Sequence, residues 1–211
     1  MDASDPKRVI ADGYDRMGED FSVWNAARPR EGRRWFLGEV LARMPEGYSV
    51  LELGCGPGSD AAALSSGRPY VGVDLSPVQL AIARRRVPNA TFVVGDLASI
   101  AFRPASFDAV VAFYLFNHVP SAEVAPAFEA ASVWLRPGGR LFLGGLPTTA
   151  DEDRVEEWLD VPLFFAGVQG EPYGRALRDA GFEIELSDIR YAIQESWGVN
   201  RPRWIIATKP A

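Results

Sequence analysis

Residues 50–60, Val-Leu-Glu-Leu-Gly-Cys-Gly-Pro-Gly-Ser-Asp, constrain the fold more than any other stretch of the chain. A run suited to a buried strand leads directly into Gly54, Gly56 and Gly58, and an alanine-rich segment at 59–66 with good helix propensity follows. Gly54 permits a tight turn, and the missing side chains at Gly56 and Gly58 let a ligand approach the backbone closely. Free N–H groups at the start of the helix favour a negatively charged ligand group. A second apolar run at 70–74 ends on Asp74, twenty residues after Gly54. A carboxylate there is placed to accept hydrogen bonds from both hydroxyls of a ribose.

The pattern continues. Ser76 is a helix cap with Pro77 at the first helical position, and the helix runs to about Val87, where Pro88-Asn89 stops it. A third strand at 91–94 ends on Gly95-Asp96, and the almost wholly apolar 107–113 reads as a central parallel strand. A helix is expected at 121–135, capped by Ser121 and broken by Arg136-Pro-Gly-Gly139, followed by a strand at 140–145. The alternation predicts an α/β, Rossmann-like doubly wound sheet, mostly parallel, with helices on both faces. Beyond it, a short helix at 173–180 closed by Gly181 precedes two runs, 182–193 and 203–209, with no helix between them. These predict a C-terminal antiparallel hairpin at the sheet edge. Residues 151–171 are the least regular. One domain over 1–211 is expected: an N-terminal helical lid at 1–45, a cofactor-binding core at 46–147, and a substrate-side segment with the strand pair at 148–211.

Hydrophobic residues at 47% and charged residues at 24% are the balance of a globular chain. The net charge of -6 argues against nucleic acid as partner. No apolar run approaches the length of a membrane span, and the start shows no secretory leader, so a cytoplasmic protein is expected. One cysteine, Cys55, and one histidine, His118, with no C-x-x-C or H-E-x-x-H pattern, argue against a metal site. A carboxylate-bound Mg²⁺ stays open.

The glycine loop narrows the nucleotide. A dinucleotide fingerprint needs Gly-x-Gly-x-x-Gly, but Ser59 stands where the third glycine belongs. Glu52, Asp74 and Asp96 place a carboxylate near the ends of three successive strands. This suits a cationic cofactor with a ribose and an adenine but no pyrophosphate, as in S-adenosylmethionine. Asp96 also reads as a helix cap, Glu52 as a buried ion-pair partner and Cys55 as a packing residue.

At Glu52-Leu-Gly-Cys-Gly-Pro-Gly58, Val73-Asp74-Leu-Ser76, Gly95-Asp96-Leu97 and Leu135-Arg-Pro-Gly-Gly139 the chain resembles the class I S-adenosylmethionine-dependent methyltransferases. The resemblance implies that the loop from Gly54 through Cys55 and Gly56 to Gly58 holds the methionine part of the cofactor. It implies further that Asp74 takes the ribose with Ser76 beside it, that Leu75 lies by the adenine and Asp96-Leu97 at its edge, and that Phe113 is near the sulfonium. Tyr14 resembles the family's lid tyrosine. The expected reaction is methyl transfer to a small-molecule acceptor, yielding S-adenosylhomocysteine. A nicotinamide-dependent oxidoreductase and a cofactor-binding protein without transferase activity are the alternatives.

For the acceptor, segments beyond the strand ends supply candidates: Tyr14 and Trp24 near the start, Phe116 and His118 after the fourth strand, and Trp158, Phe164 and Phe165 in the irregular segment. His118 is a candidate base or substrate contact. Glu195 is a weaker candidate from the far side. The turn after the fourth strand lacks an Asn/Asp-Pro-Pro-Tyr motif, which favours a small acceptor over nucleic acid or protein.

Overall fold

The computed structural model describes residues 5–28, 31–148, 152–166, 172–195 and 198–211. Helices α1 (Pro6–Ala27) and α2 (Glu31–Ala42) precede β1 (Val50–Leu53), α3 (Ala61–Leu64), β2 (Tyr70–Asp74), α4 (Pro77–Arg86) and β3 (Thr91–Val94). Then come β4 (Phe107–Phe113), a 3-10 turn at Leu115–Asn117, α5 (Ser121–Trp134) and β5 (Leu135–Leu146). The hairpin β6 (Asp153–Trp158) and β7 (Val161–Phe165) follows, then α6 (Pro172–Asp179), β8 (Glu183–Ile189), β9 (Ile193–Glu195), β10 (Gly198–Asn200) and β11 (Arg203–Thr208).

A seven-stranded sheet runs β3-β2-β1-β4-β5-β11-β8. The first five strands are parallel, and β11 is antiparallel to both β5 and β8. Successive strand residues point to opposite faces, so each apolar strand feeds two cores. Leu51, Val110, Leu141 and Ile205 pack with α5 and α6, while Val50, Val111, Phe142 and Ile206 pack with α2, α3 and α4. From β1 the chain winds outward to β2 and β3, then returns to β4 on β1's other side. This is the topological switch point at which open α/β sheets leave a crevice beyond the strand ends.

Several boundaries depart from the sequence expectation. The alanine-rich segment forms only the single turn Ala61–Leu64; at its start the Asp60 carboxylate is engaged by Arg33 instead of capping it, and beyond its end Gly67 turns the chain with a φ of 68°. Ser121 is the first residue of α5, not its cap; its N–H is taken by Glu152 Oε1 at 2.5 Å. Strand β5 begins already at Leu135, absorbing the Arg-Pro-Gly-Gly stretch as an exposed, irregular start. The terminal strand pair is antiparallel as expected, but the last strand lies inside the sheet and β8 forms the edge. Burial explains the order: Trp204, Ile205, Ile206 and Ala207 are apolar on both faces, whereas β8 alternates half-buried with exposed residues. The irregular segment contains the antiparallel β6–β7 hairpin, which packs on α1 around Met17, Val161 and Leu163. The ends of that segment, Asp151 and Glu171, and the side chain of Glu195 lie outside the described residues. No helix among the described residues is long and apolar enough to cross a membrane.

Candidate active site

Beyond the ends of β1, β2 and β4 lies a cavity of about 250 Å³. Gly54, Cys55 and Gly56 form one wall with Asp74, Leu75, Asp96, Leu97 and Phe113, all at strand ends. Tyr14, Phe21 and Trp24 from α1, His118 after β4, and Trp158 and Phe165 from the hairpin form the other.

The first wall is tied together by Asp74. Its Oδ2 accepts from Gly56 N–H at 2.8 Å and its Oδ1 from Ser76 N–H at 2.9 Å, fastening the glycine turn to the end of β2. Burial raises the pKa of this carboxylate, while the two backbone N–H groups pull it back down. Gly54 and Gly56 both have left-handed φ, 66° and 51°. A Cβ at Gly56 would find no heavy atom nearer than Phe21 Cε1 at 4.0 Å, so the cavity opens directly over the backbone there. Arg33 also reaches the cavity from α2; its Nη2 lies 2.6 Å from Asp60 Oδ2, and its guanidinium carbon is 5.1 Å from the centre of the Phe113 ring.

On the opposite wall the lone histidine is fully engaged. His118 Nδ1 lies 2.7 Å from the Phe164 carbonyl, which can only accept, so Nδ1 carries the proton. Nε2 is then the acceptor for the Tyr14 hydroxyl at 2.9 Å. Burial pushes the imidazole pKa down to about 4, and burial together with Asp74 pushes the Tyr14 phenol up. The pair is a neutral imidazole accepting from a protonated phenol.

Besides its apolar packing on the hairpin, helix α1 is held over the cavity by polar contacts. Gln79 Nε2 donates to the carbonyls of Tyr14 at 3.0 Å and Gly18 at 2.9 Å, where the helix kinks with a Gly18 φ of 49°. Asp15 Oδ1 accepts from Ser76 Oγ at 2.5 Å, and Glu19 pairs with Arg85. Lys7 Nζ bridges Asp96 at 2.9 Å and Glu123 at 3.0 Å.

Five candidates lie off the cavity. Glu52 is buried within β1, accepting from Tyr70 Oη at 2.5 Å, and burial followed by the charge of Asp60 pushes it up to about 8. Gly58 serves helix packing: its φ is 73° and a Cβ would come within 3.1 Å of Ala83 Cβ. Ser76 caps α4, its Oγ accepting from Gln79 N–H at 3.0 Å. Phe116 is core, its ring 5.2 Å from that of Phe128. Phe164 contributes its carbonyl, not its ring. The buried Cys55 thiol does reach the cavity wall, but burial pushes its pKa up, away from the thiolate. Lys7, Arg28, Arg33, Gln79 and Tyr114 line the cavity without having been singled out from sequence. Tyr114 alone carried a recognisable signal, following β4 directly; it holds a left-handed φ of 59°.

A family model described as a methyltransferase domain matches residues 50–139. The O-methyltransferase cnsE of Penicillium expansum is 31% identical over 214 residues, an alignment spanning 92% of this chain and 75% of that protein. The chain belongs to the S-adenosylmethionine-dependent methyltransferases. Trans-aconitate 2-methyltransferase of Variovorax paradoxus is 38% identical over 56% of this chain, which spans 48% of that relative's length. A solved S-adenosylmethionine-dependent methyltransferase of Methanosarcina mazei shares the fold with a TM-score of 0.71 at 20% identity, covering 82% of this chain and 97% of that one.

The donor set suits the methyltransferase cofactor. A turn whose backbone is open to the cavity, a carboxylate at the end of β2, apolar side chains at Leu75 and Leu97, and a guanidinium on the cavity wall are groups that could take its amino-acid, ribose and adenine parts. Among the described residues no cluster of three or more His, Cys, Asp or Glu could hold a metal ion.

Proposed function

We propose that this chain binds S-adenosylmethionine on the glycine-turn wall and directs methyl transfer to a small-molecule acceptor held against the aromatic wall, with α1 and the β6–β7 hairpin as the lid. The observation that carries the reading is the cavity in which the cofactor-type donor set and the aromatic wall meet. When bound, the cofactor supplies an electrophilic methyl group. The backbone at Gly54 and Gly56 and the Arg33 guanidinium hold its amino-acid end, Asp74 its ribose hydroxyls, and Leu75, Asp96 and Leu97 its adenine.

The lid excludes water and fixes the acceptor, and positioning of this kind contributes roughly 7 kcal/mol or more when the geometry is near attack. Tyr14 and His118 position the acceptor. The Tyr14 phenol keeps its proton directed at His118 Nε2, Nδ1–H stays on the Phe164 carbonyl, and the free lone pair of Tyr14 Oη accepts from an acceptor hydroxyl and orients its oxygen. A relative named for trans-aconitate and another named for demethylmenaquinone support a small acceptor.

Incubation with S-adenosylmethionine and a panel of phenols, carboxylic acids and amines tests this. Release of S-adenosylhomocysteine should require an acceptor, and Tyr14→Phe should lower kcat by up to about 100-fold through lost positioning. Cofactor binding with release never above the acceptor-free background would leave a binding protein without transferase activity.

A further inference from the structure

Lys7 stands where a helix least favours a cation. Helix α1 opens on Pro6, its start set by Asp5 Oδ1 accepting from Lys7 N–H at 3.0 Å, and its first turn holds no acid. An ammonium in that turn opposes the helix dipole. What it gains is tertiary. Nζ lies 2.9 Å from Asp96 Oδ2 and 3.0 Å from Glu123 Oε1, the one just past the end of β3 and the other in the first turn of α5. Burial alone would lower the pKa of Lys7; the hydrogen bonds and charges of Asp96 and Glu123 outweigh it and raise it.

The pairing leaves Asp96 capacity for a further donor. Its Oδ1 accepts from Ala98 N–H at 3.0 Å and its Oδ2 from Lys7, so each oxygen keeps a second lone pair. Lys7, Ile10 and Tyr14, three and four positions apart on one face of α1, line the cavity together with Asp96, Leu97 and Glu123. The leading turn of the lid is thus fastened to two elements of the sheet domain at the mouth of the cofactor wall.

We infer that Lys7 is a positioning residue for the cofactor: with Asp96 and Glu123 it fastens the leading turn of α1 across the adenine end of the cavity and sets how fast the cofactor enters and its product leaves. The inference rests on the reading of this cavity as an S-adenosylmethionine site. Held by Lys7, the Asp96 carboxylate is fixed in place for the exocyclic amine of adenine, and a ligand leaves when the pair opens. The three side chains are 26% to 33% exposed, wet enough for salt to screen the attraction.

Stopped-flow fluorescence, with Trp24 and Trp158 on the cavity wall as reporters, measures the dissociation rate of S-adenosylhomocysteine. In the intact protein the rate should rise as sodium chloride goes from about 0.1 to about 1 M. Lys7→Met should raise it roughly three- to tenfold, the scale of two partly exposed ion pairs, and should flatten the salt dependence. Lys7→Arg should restore both, and Glu123→Gln, which leaves Asp96 in place, should give a smaller rise. Arg8→Gln is the control for charge alone, since it removes a neighbouring cation whose partner is Asp12 on the same helix, and it should leave the rate unchanged. Thermal melting reports whether each variant folds, and Glu123→Gln carries the test if Lys7→Met does not. Dissociation from the folded Lys7 and Glu123 variants at the original rate, or a rate raised equally by Arg8→Gln, overturns the inference and leaves the cofactor reading standing. Failure of S-adenosylhomocysteine to bind the folded intact protein removes both.

Discussion

At the scale of single residues, two buried titratable groups oppose each other. His118, held near 4 instead of 6.5, binds fewer protons in the folded chain, so its contribution to stability is lost as pH falls from 6.5 towards 4. Glu52, raised from 4.5 to about 8, binds more protons when folded, so its contribution is lost as pH rises from 4.5 towards 8. The two slopes offset one another between pH 4.5 and 6.5. Above 6.5 the Glu52 slope acts without the histidine's, and stability should fall by up to about 1.4 kcal/mol per pH unit. Urea unfolding at pH 6.5 and 8 checks this, and Glu52→Gln should flatten the decline; an unchanged decline in that variant would show that another group carries it. Tyr14→Phe should also cost stability, about 1–3 kcal/mol, since it strands the buried Nε2 of His118. His118 and Tyr14 could be singled out from sequence because each has a recognisable context: a lone histidine after a strand and an aromatic in an N-terminal helix. Arg33 and Lys7 could not. Their partners lie 27 and 89 positions away, with no periodicity linking them.

At the scale of elements, the β6–β7 hairpin shows why part of the roof was illegible. Its two-residue turn, Leu159–Asp160, has left-handed φ at both positions, 50° and 62°, the conformation that Asn-Gly normally announces. Without those residues the segment carried no hairpin signal, whereas β1, β2 and β4 announced themselves through apolar runs ending in glycine or acid. The exposed Asp160 should be improvable: Asp160→Gly relieves the unfavourable φ and should raise stability by about 0.5–1 kcal/mol, measured by thermal melting. No gain would mean that the aspartate makes a compensating local contact. Helix α1 tests a different dependence. One amide, Gln79 Nε2, holds both the Tyr14 and Gly18 carbonyls at the kink. Gln79→Ala should therefore speed hydrogen exchange along α1 while leaving β4 and β5 protected. Equal protection in α1 would refute the latch.

At the scale of the whole molecule, the alternation of strands and helices fixed where a ligand can go: β1 and β4 are parallel neighbours whose chains lead on to opposite sides of the sheet order, and the cavity opens beyond their ends. The order of the last strands was less legible, because placing β11 inside β8 depends on tertiary burial and not on sequence adjacency. A ligand bound only by the folded chain stabilises it by about 2.7 kcal/mol at a hundredfold excess over Kd, worth roughly 5–10 °C in Tm at this size. The most direct test of the central claim is calorimetric titration of S-adenosylhomocysteine into the intact protein and into Asp74→Ala. Micromolar binding by the intact protein, weakened at least about tenfold by the substitution, is the predicted result, since Asp74 organises the glycine turn and is the proposed partner of the ribose. A folded protein that does not bind, or a variant that binds as tightly as the original, would contradict it.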